Sequence, residues 1–177
     1  MLRFLFACSV LLAFSATQPT RAEVRNPAAD GFVSLHSLEI AASPARTWAA
    51  LGSIGRWWNS AHTWSGDARN LRLKTEAGEC FCERWKDGSV EHGRVLMARR
   101  DTLLRLHALL GPVQAMAVNA TLTFTLKPME EGTRLEVEYR VNGSSASGLD
   151  TLAPAIDRVI GEQAGRLKRF TETGSVD

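Results

Sequence analysis

The clearest hydrophobic pattern in the chain lies near its C-terminal end, in residues 148–171. Apolar residues recur there at steps of three and four, which places them along one stripe of an α-helix. Charged residues occupy the opposite face, so we expect Asp157 to be solvated and Asp150 or Thr151 to cap the start. Pro154 fits only if it lies in the first turn. Because an isolated helix is marginal in water, this helix needs an apolar surface to pack against.

Most of the preceding chain alternates between apolar and polar residues with a period of two, which is typical of half-buried β-strands. The predicted strands are 32–40, 71–77, 80–85, 90–97, 102–110, 118–127 and 134–141. Ser43 and Pro44 predict the start of a short helix, and a second short helix or turn follows at 56–59. Tight turns between strands favour antiparallel pairing. We therefore predict a one-domain α+β protein, in which a strand-rich sheet holds the long terminal helix.

Several short segments accompany this order of elements. They are residues 42–48 after the first strand, Trp57-Trp58, 85–88 with 93–95, 123–126 and 132–135. Together with the element order, they resemble the SRPBCC superfamily, the START and Bet v 1-like helix-grip proteins, across 32–173. The nearest branch is that of the Hsp90-ATPase activator homology domain and the polyketide cyclase/dehydrase proteins. The resemblance implies a curved antiparallel sheet of about seven strands wrapped around the C-terminal helix, with two short helices after the first strand. A cavity between sheet and helix often holds an apolar ligand in such proteins, but the fold does not fix the function.

The N-terminal 22 residues have the layout of a secretory signal peptide. Arg3 gives a positive start, residues 4–14 form an apolar run, and Thr20 and Ala22 are small residues at the −3 and −1 positions. We expect cleavage after Ala22, a loose leader over 23–30, a single domain over 31–173, and export to the periplasm.

Charge and motifs exclude several classes of function. Removing the predicted signal peptide lowers Lys plus Arg from 21 to 19, which equals the 19 Asp plus Glu residues. A neutral chain without a basic block is not typical of nucleic-acid binding. No run reaches the roughly 20 apolar residues of a membrane span. Phosphate-binding, dinucleotide-binding, zinc-protease and Ser-His-Asp motifs are absent from the sequence, and we expect no cofactor. The sequence leaves the oligomeric state open.

Cys80 and Cys82 are the most unusual local feature, because residues two apart on a strand face the same way. They could be small apolar residues facing the core, a disulfide in an oxidising compartment, or two ligands of a zinc or copper ion. If Asp87-Gly88 forms a two-residue hairpin turn, Glu83 lies opposite His92 on the other side of the strand. That register predicts a Glu83–His92 surface pair and argues against a metal site.

The tryptophans near the second short helix are candidates for ligand contact. Trp57, Trp58 and Trp64 could line the entrance of a pocket for an apolar or aromatic molecule, or could simply cover the open end of the fold. The strand residues that we expect to face the same pocket are Leu73, Cys82, Met97, Leu106, Leu122, Phe124 and Tyr139.

Acid–base chemistry has two candidates, His62 on the polar loop 60–69 and Tyr139, whereas His36 and His107 receive no chemical role. The first hypothesis is an exported protein that binds a small hydrophobic or aromatic molecule or a lipid. The alternative is an enzyme of the cyclase, dehydratase or hydrolase kind that uses the same pocket. A third class, an Hsp90 co-chaperone suggested by the fold branch, conflicts with the signal peptide because that partner is cytosolic.

Overall fold

The computed structural model describes residues 22–176. The predicted signal peptide therefore lies, apart from Ala22, outside the described residues. Two α-helices are present in this part of the chain, α1 (Pro44–Gly52) and α2 (Leu149–Thr173). The strands are β1 (Ala22–Ala28), β2 (Gly31–Ile40), β3 (Leu71–Leu73), β4 (Cys80–Trp85), β5 (Gly88–Arg99), β6 (Leu103–Ala108), β7 (Asn119–Met129) and β8 (Gly132–Asn142).

The strands form one antiparallel sheet in the order β1-β2-β8-β7-β6-β5-β4-β3. Helix α2 lies across the β1, β2 and β8 side of this sheet, and α1 packs against α2. This arrangement confirms the α+β prediction and the long helix held by the sheet. The sheet has eight strands rather than about seven.

The additional strand is β1, in residues that the sequence predicts as a loose leader. It pairs with β2 from Ala22 opposite His36 to Ala28 opposite Gly31. Val24 packs partly buried against the hydrophobic core. The exposed edge of β2 offers unpaired backbone groups, so a short segment with a single apolar anchor gains hydrogen bonds by adding to it. The expectation of an unstructured 23–30 segment is wrong.

Helix α2 buries the face that its hydrophobic pattern predicts. The buried residues are Leu149, Ala153, Ile156, Ile160, Gln163, Ala164, Leu167, Phe170 and Thr171. The N-cap is Gly148 in the left-handed conformation, so the prediction of Asp150 or Thr151 as the cap is wrong; both lie in the first turn. The helix therefore begins early enough that Pro154 falls beyond its first turn. Proline has no N–H at that position to donate to the carbonyl four residues earlier.

Helix α1 begins as predicted. The Ser43 side chain accepts a hydrogen bond from the backbone N–H of Arg46 at 3.3 Å, and Pro44 occupies the first turn. Three short 3₁₀ turns, Ile54–Arg56, Ser60–His62 and Ala68–Asn70, then lead to β3. This segment includes the predicted polar loop and approaches α2, which positions one wall of the site described below.

The β4–β5 hairpin turns one residue earlier than the sequence predicts. Trp85 pairs with Gly88, so Lys86 and Asp87 form the turn. A side chain at position 88 would collide with the ring of Trp85, which accounts for a glycine at the start of β5. The observed register therefore differs from the predicted one.

Two β-bulges interrupt β5. His92 is the extra residue of the first bulge, opposite Phe81 and Cys82, and Leu96 is the extra residue of the second. Each bulge exchanges the two faces of the strand for the residues that follow. Met97, which we expected to face inward, is consequently 41% exposed.

Candidate functional site

A cleft of about 370 Å³ opens between three separate parts of the chain. One wall is the 58–64 segment, the second is the connection that follows β6, and the third is α2. His92 of β5 forms part of the lining. The cleft is lined by Trp58, Ala61, His62, Thr63, Trp64, His92, Leu110, Gly111, Pro112, Ala155, Ile156, Val159 and Ile160.

His92 and Glu83 form a buried pair behind this cleft. The Nε2 atom of His92 lies 3.0 Å from Oε2 of Glu83. Glu83 is fully buried and His92 is only 5% exposed. The His92 ring also packs against Phe81, with 4.9 Å between the ring centroids. The pairing predicted from the sequence is present, but its location on the surface is wrong.

Glu83 is buried because the segment after Trp58 folds over it. Its carboxylate accepts hydrogen bonds from the backbone N–H of Trp64 at 3.1 Å and of Ser65 at 2.5 Å. One carboxylate thus fixes both the loop that forms a wall of the cleft and the histidine that lines it. A period-two pattern cannot reveal this, because the covering loop lies 18 residues away from Glu83 in sequence.

The electrostatics of the pair favour a charged glutamate and a neutral histidine. Burial alone raises the pKa of Glu83, but the hydrogen bonds from Ser65, Trp64 and His92 outweigh it and hold that pKa below its ordinary value. Burial lowers the pKa of His92, and the opposing effect of Glu83 does not cancel this. An ionised carboxylate can only accept, so Nε2 of His92 carries the proton and Nδ1 carries a lone pair.

His62, a predicted acid–base candidate, lies at the rim of the cleft and is tied to α2. Its Nε2 atom lies 3.0 Å from Oε2 of Glu162. The Asn59 side chain donates to the other oxygen of Glu162. The backbone carbonyl of His62 accepts from Nε1 of Trp58 at 3.1 Å. His62 therefore holds the 58–64 wall against the helix.

The three candidate tryptophans separate into two groups. Trp58 and Trp64 line the cleft, and Trp64 is 58% exposed at its edge. Trp57 is fully buried, and its Nε1 donates to the carbonyl of Ala50 at 2.8 Å. Trp57 is therefore a core residue, whereas ligand contact by Trp58 and Trp64 stays a prediction.

Most of the strand residues predicted to face a ligand lie in the hydrophobic core outside the cleft lining: Leu73, Leu106, Leu122, Phe124 and Tyr139. The Tyr139 hydroxyl donates to the carbonyl of Ala108 at 3.0 Å and accepts from the N–H of Leu110 at 3.2 Å. Burial raises the pKa of Tyr139 far above its ordinary value. Tyr139 therefore holds the backbone next to a cleft wall and stays protonated.

Cys80 and Cys82 are joined by a disulfide, with 5.4 Å between their Cα atoms. They are half-buried on the face of β4 opposite Phe81 and Glu83, so the expectation that Cys82 faces the core is wrong. The two sulfurs and the Glu91 carboxylate lie within 4.8 Å of one another. In the disulfide, neither sulfur is a thiolate, which is the form that binds zinc or copper.

A second buried polar cluster joins β2 to α2. Oδ1 of Asp157 accepts from the hydroxyl of Ser34 at 2.6 Å and lies 3.0 Å from Nε2 of His36. The expectation that Asp157 is a solvated charge is wrong, because it lies on the flank of α2 that meets the sheet. The histidine is not interposed between serine and aspartate, as a hydrolytic triad requires. This cluster fixes the helix on the sheet.

Comparison with known proteins shows the fold. No family model matches the sequence, and no curated protein matches it. CalU16 from Micromonospora echinospora superposes with a TM-score of 0.60 at 14% identity, over 86% of this chain and 84% of that one. Aha1 from Colwellia psychrerythraea gives a TM-score of 0.60 at 16% identity, over 80% and 97%. DynU16 gives a TM-score of 0.59 at 17% identity, over 81% of this chain and 48% of the DynU16 chain.

These similarities show the helix-grip fold that the resemblance implies. They carry no further information about function at this level of identity. Among residues 22–176, no helix is long and apolar enough to cross a membrane.

Proposed function

We propose that this protein binds a small hydrophobic molecule in the cleft between the 58–64 segment and α2. The observation that carries the proposal is the lining, in which aromatic and aliphatic side chains surround few polar groups. Ligand sites in proteins are typically concave, mostly apolar and about 300–1,000 Å³ in volume. The cleft of about 370 Å³ falls within that range.

A further observation supports a ligand site here. The walls are fixed by buried hydrogen bonds to Glu83 and by the contact of His62 with Glu162, so the cleft is largely pre-formed. Pre-formed sites lose less free energy on binding because fewer groups must be ordered.

Native mass spectrometry tests the proposal directly. The protein is purified from its native compartment, and its mass is recorded before and after mild extraction with organic solvent. We expect a bound mass of a few hundred daltons that extraction removes. The released molecule should then rebind to the stripped protein and quench the fluorescence of Trp58 and Trp64, which line the cleft.

A matched pair of variants places the ligand in the cleft. Ala155→Trp inserts a large side chain into the lining from an exposed position on α2, whereas Arg158→Trp places the same side chain outside the lining. We expect Ala155→Trp to weaken binding of the extracted molecule at least about tenfold and Arg158→Trp to leave it unchanged. Equal affinity in both variants would assign the ligand to another site.

The Glu83–His92 pair favours a second candidate, an enzyme that uses acid–base chemistry in the same cleft. A neutral histidine oriented by a buried carboxylate is the arrangement of a general base. His92 here takes the place of His62 and Tyr139, which are held in structural contacts. If the protein is an enzyme, we expect prolonged incubation with it to convert the extracted molecule into a product. We expect the His92→Phe variant not to carry out this conversion. If the molecule is unchanged after incubation, the first proposal, a protein that binds without chemistry, is favoured over the enzyme.

Export is the remaining part of the proposal. The apolar run in residues 4–14 and the small residues before position 23 support a cleaved signal peptide, and a disulfide suits an oxidising compartment. Cleavage after Ala22 would remove only the first residue of β1. N-terminal sequencing of the protein from a periplasmic fraction should begin at Glu23. A cytoplasmic protein with an intact N-terminus would contradict export.

A further inference from the structure

His92 stands apart from the other residues of the cleft. It is a nearly buried polar side chain in a mostly apolar lining, and it is there because a β-bulge adds it to β5. Bulges commonly re-aim a side chain next to a functional site. Its Nε2 atom is bound to Glu83, while Nδ1 has no hydrogen-bond partner among residues 22–176.

The proton on the ring is held in one place. The Glu83 carboxylate accepts hydrogen bonds from the backbone N–H groups of Trp64 and Ser65 as well as from His92. Every one of these contacts therefore requires a donor facing the carboxylate. An imidazole that turned its lone pair toward this carboxylate would replace a hydrogen bond with repulsion. Nδ1 is therefore fixed as an acceptor, available to a hydrogen-bond donor that enters the cleft.

We propose that Nδ1 of His92 accepts a hydrogen bond from a hydroxyl group of the ligand, so that the cleft selects hydroxylated apolar molecules such as phenols. This inference rests on the proposed function and names the class of ligand for that site. The apolar body of the molecule contacts Trp58, Ile156 and the other aliphatic walls. The hydroxyl donates to Nδ1 of His92.

The same geometry excludes related ligand classes. A ketone or an ether offers only acceptor atoms, which would face the lone pair of Nδ1. A carboxylate would bring a second negative charge close to Glu83 in a site with little water, which is unfavourable. A hydroxyl is a neutral donor, so it satisfies His92 without the cost of burying another charge.

Isothermal titration calorimetry of the full chain with 1-naphthol and 1-methoxynaphthalene tests this inference. The two compounds share their ring system and differ in whether the oxygen carries a proton. We expect 1-naphthol to bind about tenfold more tightly to the wild-type protein, because it alone supplies the missing donor. In His92→Phe the preference for 1-naphthol should disappear, whatever loss of affinity the two compounds share.

His107→Phe is the matched control, because it makes the same substitution at an exposed histidine of β6. We expect it to keep the preference for 1-naphthol. Damage to the cleft by a variant would weaken both compounds together, so the ratio separates recognition from folding. If His92→Phe does not fold, the ¹⁵N resonance of Nδ1 in the wild-type protein should shift on adding 1-naphthol but not 1-methoxynaphthalene.

The failures are distinguishable. If neither compound binds and no mass is extracted from the native protein, the proposed function fails. If both compounds bind with equal affinity, or the Nδ1 resonance does not respond, the cleft stands as a binding site and the role of His92 in recognition is overturned.

Discussion

At the scale of single residues, Glu83 joins two parts of the site by hydrogen bonds although it does not line the cleft itself. It is buried, ionised and bonded to the loop wall and to His92 at once. Such a carboxylate is stable only while all of its donors remain. The site is therefore sensitive to changes that leave its lining untouched.

Glu83→Gln tests this dependence. The amide places an NH₂ group where the carboxylate accepts backbone N–H groups, so at least one buried donor loses its partner. We expect a loss of about 2–4 kcal/mol in the free energy of unfolding, measured by urea denaturation. Glu91→Gln is the control on the outer face of the same hairpin, where the ion pair with Arg94 is exposed. It should change stability by no more than about 0.5 kcal/mol, and equal losses would contradict the assigned role of Glu83.

His92 makes stability depend on pH in a defined direction. Its pKa is lowered in the folded protein from an ordinary value of 6.5. As pH falls through 6.5, His92 becomes protonated in the unfolded chain but stays neutral in the folded chain, so the folded state loses stability. Between pH 7.5 and 5.5 we expect wild type to lose more stability than His92→Phe, by at most about 1.4 kcal/mol per pH unit. Parallel pH profiles of the two proteins would show that His92 is not neutral when folded.

The disulfide between Cys80 and Cys82 should contribute little to stability. It closes a loop with a sequence separation of 2, so it removes few conformations from the unfolded chain. The chain-entropy relation gives about 1.5 kcal/mol for such a loop. The double variant Cys80→Ser, Cys82→Ser should therefore unfold within about 2 kcal/mol of wild type. A larger loss, reproduced by reduction of the wild-type protein, would assign the disulfide a structural role.

At the scale of elements, α2 contains two glycines whose replacement by alanine should change the stability of the protein in opposite directions. A Cβ at Gly161 would lie 2.6 Å from the His36 ring, whereas a Cβ at Gly165 would meet nothing within 4 Å. Gly165→Ala should stabilise the protein by about 0.5–1 kcal/mol through helix propensity. Gly161→Ala should destabilise it by about 1–3 kcal/mol, because it displaces a ring bonded to Asp157. Thermal unfolding of both variants is the measurement, and a gain in both would mean that the helix can shift freely on the sheet.

The elements themselves were largely predictable, and their exceptions have physical causes. The apolar stripe of α2 and the Ser43-Pro44 start of α1 are local signals, and the structure confirms both. The bulges of β5 are not local, because they depend on how two strands and the loop above them fit together. That is why Met97 was predicted on the wrong face and why the Glu83–His92 pair was predicted on the surface.

At the scale of the whole molecule, the period of the hydrophobic pattern and the order of elements predict the α+β class. The helix-grip fold follows only from the family resemblance, which rests on that order together with short segments such as 42–48 and Trp57-Trp58. The cleft was only partly predictable. Trp58, Trp64 and His62 stand out in sequence as a cluster, but His92, Leu110 and Ile156 reach the same cleft from distant segments. No pattern in one segment reports such a meeting, since it is produced by the closure of the sheet around the helix. β1 was missed because it carries a single apolar anchor.

The strand order also governs how the protein can be made. β2 pairs along its whole length with β8, about a hundred residues further along the chain, and α2 is synthesised after both. A chain emerging from the ribosome can close the β1–β2 hairpin at once, but the other edge of β2 must wait for nearly the entire polypeptide. During that interval an apolar strand edge is open to other chains. We therefore expect this edge of β2 to stay unpaired until β8 has been synthesised.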